Sequence, residues 1–362
     1  MKNIVLALCL VTAMVRVSAQ EPIKGVWLTN VASQVLDSRK NIVDAVALCK
    51  QSGINTIFVV TWNRGNTLYP SKVMKKAFGV EIDPRFNGRD PLKELIEEAH
   101  KKSIKVHAWF EFGFSSSYKD NGGNIIKKRP EWAAKNSQGK LVSKNNFEWM
   151  NAFLPEVQHF VNSLIMEVVQ GYDVDGVQGD DRLPAQPSTA GYDKYTIAEY
   201  KKEHGGKLPP TDYKEPEWVD WRAKRLNSYL KELYQNVKKV KPNMLVTMAP
   251  SIYPWSKEEY LQDWPTWLKD GYVDYIFPQI YRYDLKKYKL ALEATLSFIP
   301  ADKKRLFYPG LLLKVDDYSP DATFLKEMVR LNRENGVKGE VFFFYEGIKL
   351  HSEFFKAYAE QP

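Results

Sequence analysis

Gln170-Gly171-Tyr172-Asp173-Val174-Asp175-Gly176-Val177-Gln178-Gly179-Asp180-Asp181-Arg182 carries one complete unit of the fold. A polar helix end with a glycine, a short linker, an apolar strand and an acidic strand end follow one another. The same succession recurs in both directions. Upstream, Cys49-Lys50-Gln51-Ser52-Gly53-Ile54-Asn55 precedes the apolar run 56–60, and His100-Lys101-Lys102-Ser103-Ile104-Lys105 precedes 106–110. Downstream, Lys269-Asp270-Gly271-Tyr272 leads into 273–277, and Glu334-Asn335-Gly336-Val337-Lys338-Gly339 into 341–344. Glycine at such positions suits a left-handed helix C-cap. Short turns into continuous apolar strands are what a buried parallel sheet requires.

Adding the less regular segments gives strands near 25–30, 55–62, 105–113, 174–181, 245–252, 273–281, 305–313 and 339–347, with helices between them. Asp90-Pro91 opens one helix with an acidic cap and a first-turn proline, and Leu92, Leu95, Ile96 and Ala99 form its apolar face. Trp221, Tyr229, Leu230, Leu233 and Val237 mark another, ended by Lys241-Pro242, and a final helix falls near 351–358. The pattern predicts an α/β fold of the (β/α)8 TIM-barrel type. A doubly wound open sheet is the alternative, but no G-x-G-x-x-G or P-loop follows any strand. Turns entering strands are short, whereas 63–90, 113–153 and 182–216 leave them, the last with a small helix near 193–203. Such loops thicken the C-terminal face, where barrel enzymes keep their chemistry. They carry the exposed-looking aromatics Trp132, Trp149 and Tyr192.

The first nineteen residues read as an export signal: Lys2, an apolar run from Ile4 to Val15, and the small-x-small ending Val17-Ser18-Ala19. Cleavage after Ala19 is expected, and the apolar run is too short for a mature membrane anchor. Cys9 lies too early for a lipoprotein acceptor. Residues 20–362 then form a single domain, secreted or periplasmic, with no stable membrane insertion. Cleavage removes Lys2 and Arg16 and no acid, so the formal charge falls from +8 to +6. Acids and bases alternate along the chain, which suits a solvated surface better than a polyanion site, and export argues against a nucleic-acid partner. Only Cys49 would remain, packed beside Val46, so stability must come from an apolar core.

Strand-end residues supply the candidate chemistry. Alternation in the fourth strand sets Gly176, Gln178 and Asp180 on one side, with Asp180 at the last inward position, where a nucleophile or base must stand. Asp181 leans outward and would orient Arg182 or a loop, or cap the turn. The third strand ends His107-Ala108-Trp109-Phe110-Glu111, with His107, Trp109 and Glu111 on one face. Aromatic neighbours would desolvate Glu111, raise its pKa and keep a proton for a leaving group; the plainer reading is a Glu paired with Arg64. The eighth strand ends Phe344-Tyr345-Glu346, which makes Glu346 the other acid candidate and Tyr345 a neighbouring contact. Gln279 and Tyr281 would reach the mouth from the sixth strand, while Asp284 caps the next helix. Asn30, Trp62, Asn63 and Arg64 suit a sugar, with amide and guanidinium for hydroxyls and an aromatic face for the ring, although Trp27 and Trp62 could also pack the core.

Glycoside cleavage needs a proton on the departing oxygen and a base or nucleophile across the anomeric carbon. Other chemistries fit less well. His100, His107, His159, His204 and His351 have no metal-ligand spacing, no H-E-x-x-H or cysteine cluster occurs, and no G-x-S-x-G elbow is present. No metal or cofactor is expected.

Gly25-Val26-Trp27-Leu28-Thr29-Asn30-Val31, Thr61-Trp62-Asn63-Arg64-Gly65, Thr67-Leu68-Tyr69-Pro70-Ser71, the Asp175-to-Arg182 stretch and Pro278-Gln279-Ile280-Tyr281 together closely resemble the glycosyl-hydrolase-like 10 family. The resemblance implies a barrel, an exported bacterial protein and activity on a glycan of the envelope or surroundings. It also maps the nucleophile role onto Asp180. Met248-Ala249-Pro250-Ser251 offers no carboxylate where some related barrels place the acid, so Glu111 and Glu346 both stay open. The resulting expectation is a glycosidase acting on a bacterial envelope polysaccharide such as peptidoglycan strands. The alternative is a non-catalytic glycan-binding barrel, with a transglycosylase as a third reading.

Overall fold

The computed structural model describes residues 21–361. The export-signal reading of residues 1–19 lies outside the described residues. Eight parallel strands form the centre: β1 Lys24–Leu28, β2 Thr56–Val60, β3 Lys105–Trp109, β4 Gly176–Gly179, β5 Leu245–Met248, β6 Tyr275–Ile276, β7 Gly310–Leu312 and β8 Glu340–Phe343. Their order is β6-β5-β4-β3-β2-β1-β8-β7, so each strand lies beside its chain neighbour except at the two ends. The sheet curls until those ends approach. Ile276 bridges Phe307 and Gln279 bridges Gly310, both in parallel, without a continuous ladder.

Each strand is followed by a helix on the outer face: α1 Arg39–Gln51, α2 Pro91–Lys101, α3 Pro155–Gly171, α4 Pro216–Val240, α5 Trp264–Asp270, α6 Leu285–Ser297, α7 Ala322–Glu334 and α8 Ser352–Ala359. The expected apolar faces are the buried ones: Leu92, Leu95, Ile96 and Ala99 on α2, and Trp221, Tyr229, Leu230, Leu233 and Val237 on α4. Asp90 and Asp284 cap α2 and α6 as expected, accepting from Lys93 N and Lys287 N. Cys49 is buried in α1 beside Val46, and burial pushes its thiol up to about 12. Among the described residues no helix is long and apolar enough to cross a membrane.

Aromatic rings fill the inside of the curled sheet. Phe58 packs on His107 at 4.8 Å and Phe277 at 5.1 Å, and Trp27 lies between Phe343 and Trp109 above them. Glycines on adjacent strands admit these rings: a Cβ on Gly176 would come within 2.6 Å of the His107 ring, and one on Gly25 within 2.8 Å of Phe58.

Three expectations need correction. The strands are shorter than the apolar runs, because their C-terminal ends leave the ladder for rim structure. Trp62–Asn63 turns back on Asn66–Thr67, and Ser115–Tyr118 joins a three-stranded antiparallel sheet with Ser143–Lys144 and Phe147–Trp149. Trp132 and Trp149 are not exposed: Trp132 packs against Phe78 and Phe160, and Trp149 against Tyr260. Gly171 ends α3 without a left-handed φ, unlike Gly53, Gly271 and Gly336. The small helix in the 182–216 segment is present at Lys194–Glu203. That segment is fastened by Arg222 of α4, a wholly buried guanidinium that donates to the carbonyls of Ser188, Ala190, Tyr213 and Trp218. Burial lowers its pKa to about 9.

Candidate active site

Asp180 follows β4 directly and is 3% exposed. Its carboxylate is surrounded by donors. Trp109 Nε1 of β3 reaches Oδ2 at 3.0 Å, Gln279 Nε2 reaches Oδ1 at 2.6 Å, and Asp181 N reaches Oδ1 at 2.5 Å. Arg182 Nη2 stands 3.4 Å from Oδ2. Burial, Asp181 and Glu111 push the Asp180 pKa well above the carboxylate range, while Arg182 and the Asp181 amide oppose them.

Glu111 reaches the same guanidinium from the end of β3. Its Oε1 is 3.4 Å from Arg182 Nη2, its backbone carbonyl accepts from Arg182 Nε at 2.9 Å, and Asn63 Nδ2 donates to Oε2 at 2.6 Å. Burial raises its pKa to about 7, against the pull of Arg182. One nitrogen 3.4 Å from both acids holds their facing oxygens within about 7 Å of each other. Gly113 makes this approach sterically feasible: at φ +48° it passes so close to the Arg182 carbonyl that a Cβ would lie 2.0 Å away.

Arg182 is the hub. Besides the two acids it lies 2.8 Å from Asp181 Oδ1, an ion-pair contact without hydrogen-bond alignment, and its plane covers Phe147 at 4.6 Å. The sequence pointed to Arg182 only as a partner for Asp181. Gln262 was missed altogether: buried, it donates to the Asp180 carbonyl at 2.9 Å and so fixes the backbone that carries the acid. Its approach depends on how the segment after β5 folds back, which no local pattern announces.

The other candidates divide. Asn30 joins the site through Asn63, whose Nδ2 also donates to Asn30 Oδ1 at 3.0 Å. Tyr281 stacks on Phe343 at 5.3 Å, and burial and Asp180 raise its pKa. Arg64 is exposed at the rim over Tyr118 at 5.4 Å, and it is Arg182, not Arg64, that pairs with Glu111. Five expected site residues lie elsewhere. Gln178 is buried below Asp180, accepting from Trp27 Nε1 at 2.7 Å. His107 lies deeper still, where burial lowers its pKa to about 4. Trp62 is buried against Phe160, its Nε1 donating to the Gly113 carbonyl at 3.1 Å. Tyr345 is buried against α1, and Glu346 accepts from Ser33 Oγ at 2.8 Å. Neither Tyr345 nor Glu346 touches the Asp180–Glu111 pair among the described residues. Both line a separate cleft of about 830 Å³, together with Asn30, Ser33, Asn41 and Arg85.

Residues 22–304 match the sequence profile of glycosyl hydrolase-like 10. The chain belongs to the glycosyl hydrolase-like 10 family. Glycosyl hydrolase DigH of Escherichia coli K12 is 27% identical over 287 residues, covering 72% of this chain and 62% of that protein. Glycosyl hydrolase YngK of Bacillus subtilis is 23% identical over 305 residues, covering 74% and 56%. This member of the family thus spans less than two thirds of either relative. The glycoside hydrolase domain of PgaB (BpsB) from Bordetella bronchiseptica superposes with a TM-score of 0.69 at 13% identity, over 94% of this chain and 98% of that one. The catalytic domain of a β-amylase from Paenibacillus polymyxa gives 0.65 at 10% identity, over 94% and 98%. At such identities the likeness is one of fold. Membership of the glycosyl hydrolase-like 10 family, with relatives of that name, supports a glycosidase-type function.

Proposed function

We propose that the chain is a glycoside hydrolase in which Asp180 is the nucleophile and Glu111 the acid. The observation that carries this reading is the single Arg182 nitrogen shared by both carboxyls. Burial raises the pKa of both acids, so the donors decide between them: Asp180 receives four, which an ionised carboxylate satisfies and a protonated acid would leave partly unused. The proton therefore belongs on Glu111, whose raised pKa keeps it available near neutrality. Glu111 protonates the glycosidic oxygen as that bond breaks, and Asp180 bonds to the anomeric carbon. Water then bonds to that carbon as the bond to Asp180 breaks, and Glu111, now ionised, takes a proton from that water.

A separation within about 7 Å excludes most of the roughly 6.5–9.5 Å range of inverting enzymes, so net retention is the expected outcome. Asn30, Asn63, Arg64, Asp181, Gln279 and Tyr281 surround the pair as sugar contacts or orienting groups. Asn63 Oδ1, buried without a hydrogen-bond partner, is an acceptor for a substrate hydroxyl. The bridges between β6 and β7 support a complete (β/α)8 ring, formed by residues 20–362 as a single domain. The export-type N-terminus and the formal charge of +6 that would remain after its removal favour an anionic bacterial envelope glycan, met outside the cytoplasm, as substrate.

The test is reducing-end release from purified glycans, including peptidoglycan strands freed of stem peptides. Wild type should release ends with retained anomeric configuration by NMR. Glu111→Gln should lose about 10²–10⁴ in kcat, and much less on an aryl glycoside whose leaving group needs no proton. Asp180→Asn should lose activity on both substrates. Binding without products by wild type and both variants would instead establish a glycan-binding protein.

A further inference from the structure

Nine of the ten tryptophans are buried, and Trp255 alone stands 43% exposed. It opens the short helix Trp255–Tyr260 in the segment after β5. This helix is anchored at the active site. Ser256 Oγ donates to the Gln262 carbonyl at 3.0 Å, Gln262 N donates back to the Ser256 carbonyl at 3.0 Å, and Gln262 Nε2 holds the Asp180 carbonyl. The far end is equally fixed: the Trp255 ring lies 5.4 Å from Tyr260, whose hydroxyl accepts from Asn145 Nδ2 at 2.9 Å and whose face is covered by Lys144 at 4.4 Å. A large indole is thus presented to solvent on a rigid support tied to the residue after β4.

The 830 Å³ cleft lies apart from Trp255. It is framed by the segments after β1 and β8, and Asn30 links it to Glu111 through Asn63. In the strand order β5 lies four places from β1, so the segment that bears Trp255 and the segments and helix α1 that line the cleft belong to well-separated strands. Their chemistries complement each other. An exposed indole offers a flat apolar face to the C–H side of a pyranose ring. Ser33, Asn41 and Glu346 offer the donors and acceptors that hydroxyls need, and the cleft volume is that of a site for an extended small ligand.

We infer that Trp255 is a sugar-stacking platform on one side of the acids and that the cleft holds further sugars on the other. The chain therefore grips a glycan across its mouth and cuts it internally. The inference rests on the glycosidase reading and deepens it. Glu346 then binds substrate and takes no part in proton transfer.

The test uses the full-length protein and oligosaccharides of increasing length prepared from whichever polymer wild type digests. Trp255→Ala should raise KM for the polymer about tenfold, equivalent to about 1.4 kcal/mol. Trp255→Phe, which keeps a stacking face, should recover most of that loss, and circular dichroism checks that both variants fold. Glu346→Gln should raise KM for long oligosaccharides more than for short ones. In Asp180→Asn, where the substrate survives, glycan binding should change the red edge of the tryptophan emission, and Trp255→Phe should abolish that change. Early products should be of intermediate length. Wild-type KM in Trp255→Ala, or early products consisting only of terminal units, would overturn the inference while leaving the glycosidase reading in place. Absence of products on every polymer would overturn both.

Discussion

Glu111 carries the clearest pH signature. It is almost enclosed, and burial, outweighing the neighbouring guanidinium, pushes its pKa up to about 7. As the acid it must hold a proton, so kcat/KM should fall as pH rises through about 7 and stay low above it. The same shift bears on stability. A carboxyl whose folded pKa exceeds its unfolded value of 4.5 favours the fold fully below pH 4.5, and that contribution is lost as pH rises to about 7. Glu111→Gln removes the titration, so its melting temperature should gain on wild type between pH 5 and pH 8, by the equivalent of up to about 3 kcal/mol. A difference that stays constant with pH would mean Glu111 is ionised in the folded protein throughout. Residues of this kind were partly legible in the sequence. Asp180 and Glu111 end inward-facing strands, and period-two alternation alone points them to one mouth. Glu346 obeyed the same rule and lies elsewhere, because the chain leaves β8 in a 3-10 turn, Tyr345–His351, that carries it to the cleft. Trp62 was misplaced for a similar reason: it has already left β2 for a hairpin.

Between neighbouring elements one device recurs. Asn55 Oδ1 accepts from Lys24 N at 3.0 Å, Asp175 Oδ2 from Val106 N at 2.8 Å, and Asp274 Oδ2 from Val246 N at 2.7 Å. In each case the residue just before an even-numbered strand ties off the start of the odd-numbered strand before it. The sequence repeat of glycine, short linker and Asn or Asp is the visible trace of this contact. It was legible as a period, although its partner was not, since the accepting side chain reaches across the sheet and not along the chain. Asp274 also pairs with Lys238 at 2.8 Å, which fixes the end of α4. Asp274→Ala should therefore lower stability by about 1–3 kcal/mol, read as a fall in the urea midpoint at unchanged slope. Activity at room temperature should persist, because the contact lies at the end of the sheet away from Asp180.

For the molecule as a whole, the decisive region is the seam between β6 and β7. Tyr308 N donates to the Ile276 carbonyl at 3.0 Å, Gly310 N to Pro278 at 2.9 Å, and Ile280 N to Gly310 at 3.0 Å. If these bonds complete the ring, the three amides should exchange with solvent as slowly as those of β1 and β2, and calorimetry should show one unfolding transition. Fast exchange confined to them would leave an open sheet. The seam was the least legible part of the architecture, since β6 has only two ladder residues and its neighbours 273–281 read as one long strand. Two strands away from that seam, Arg222 grips the segment between β4 and α4 by backbone oxygens alone. A fastening of this kind recognises the path of the chain and is indifferent to its letters. The solvent-facing side chains of that segment, such as Lys207 and Thr211, can be exchanged without loosening it, so this rim can acquire new ligand preferences by ordinary mutation, provided Arg222 stays in place.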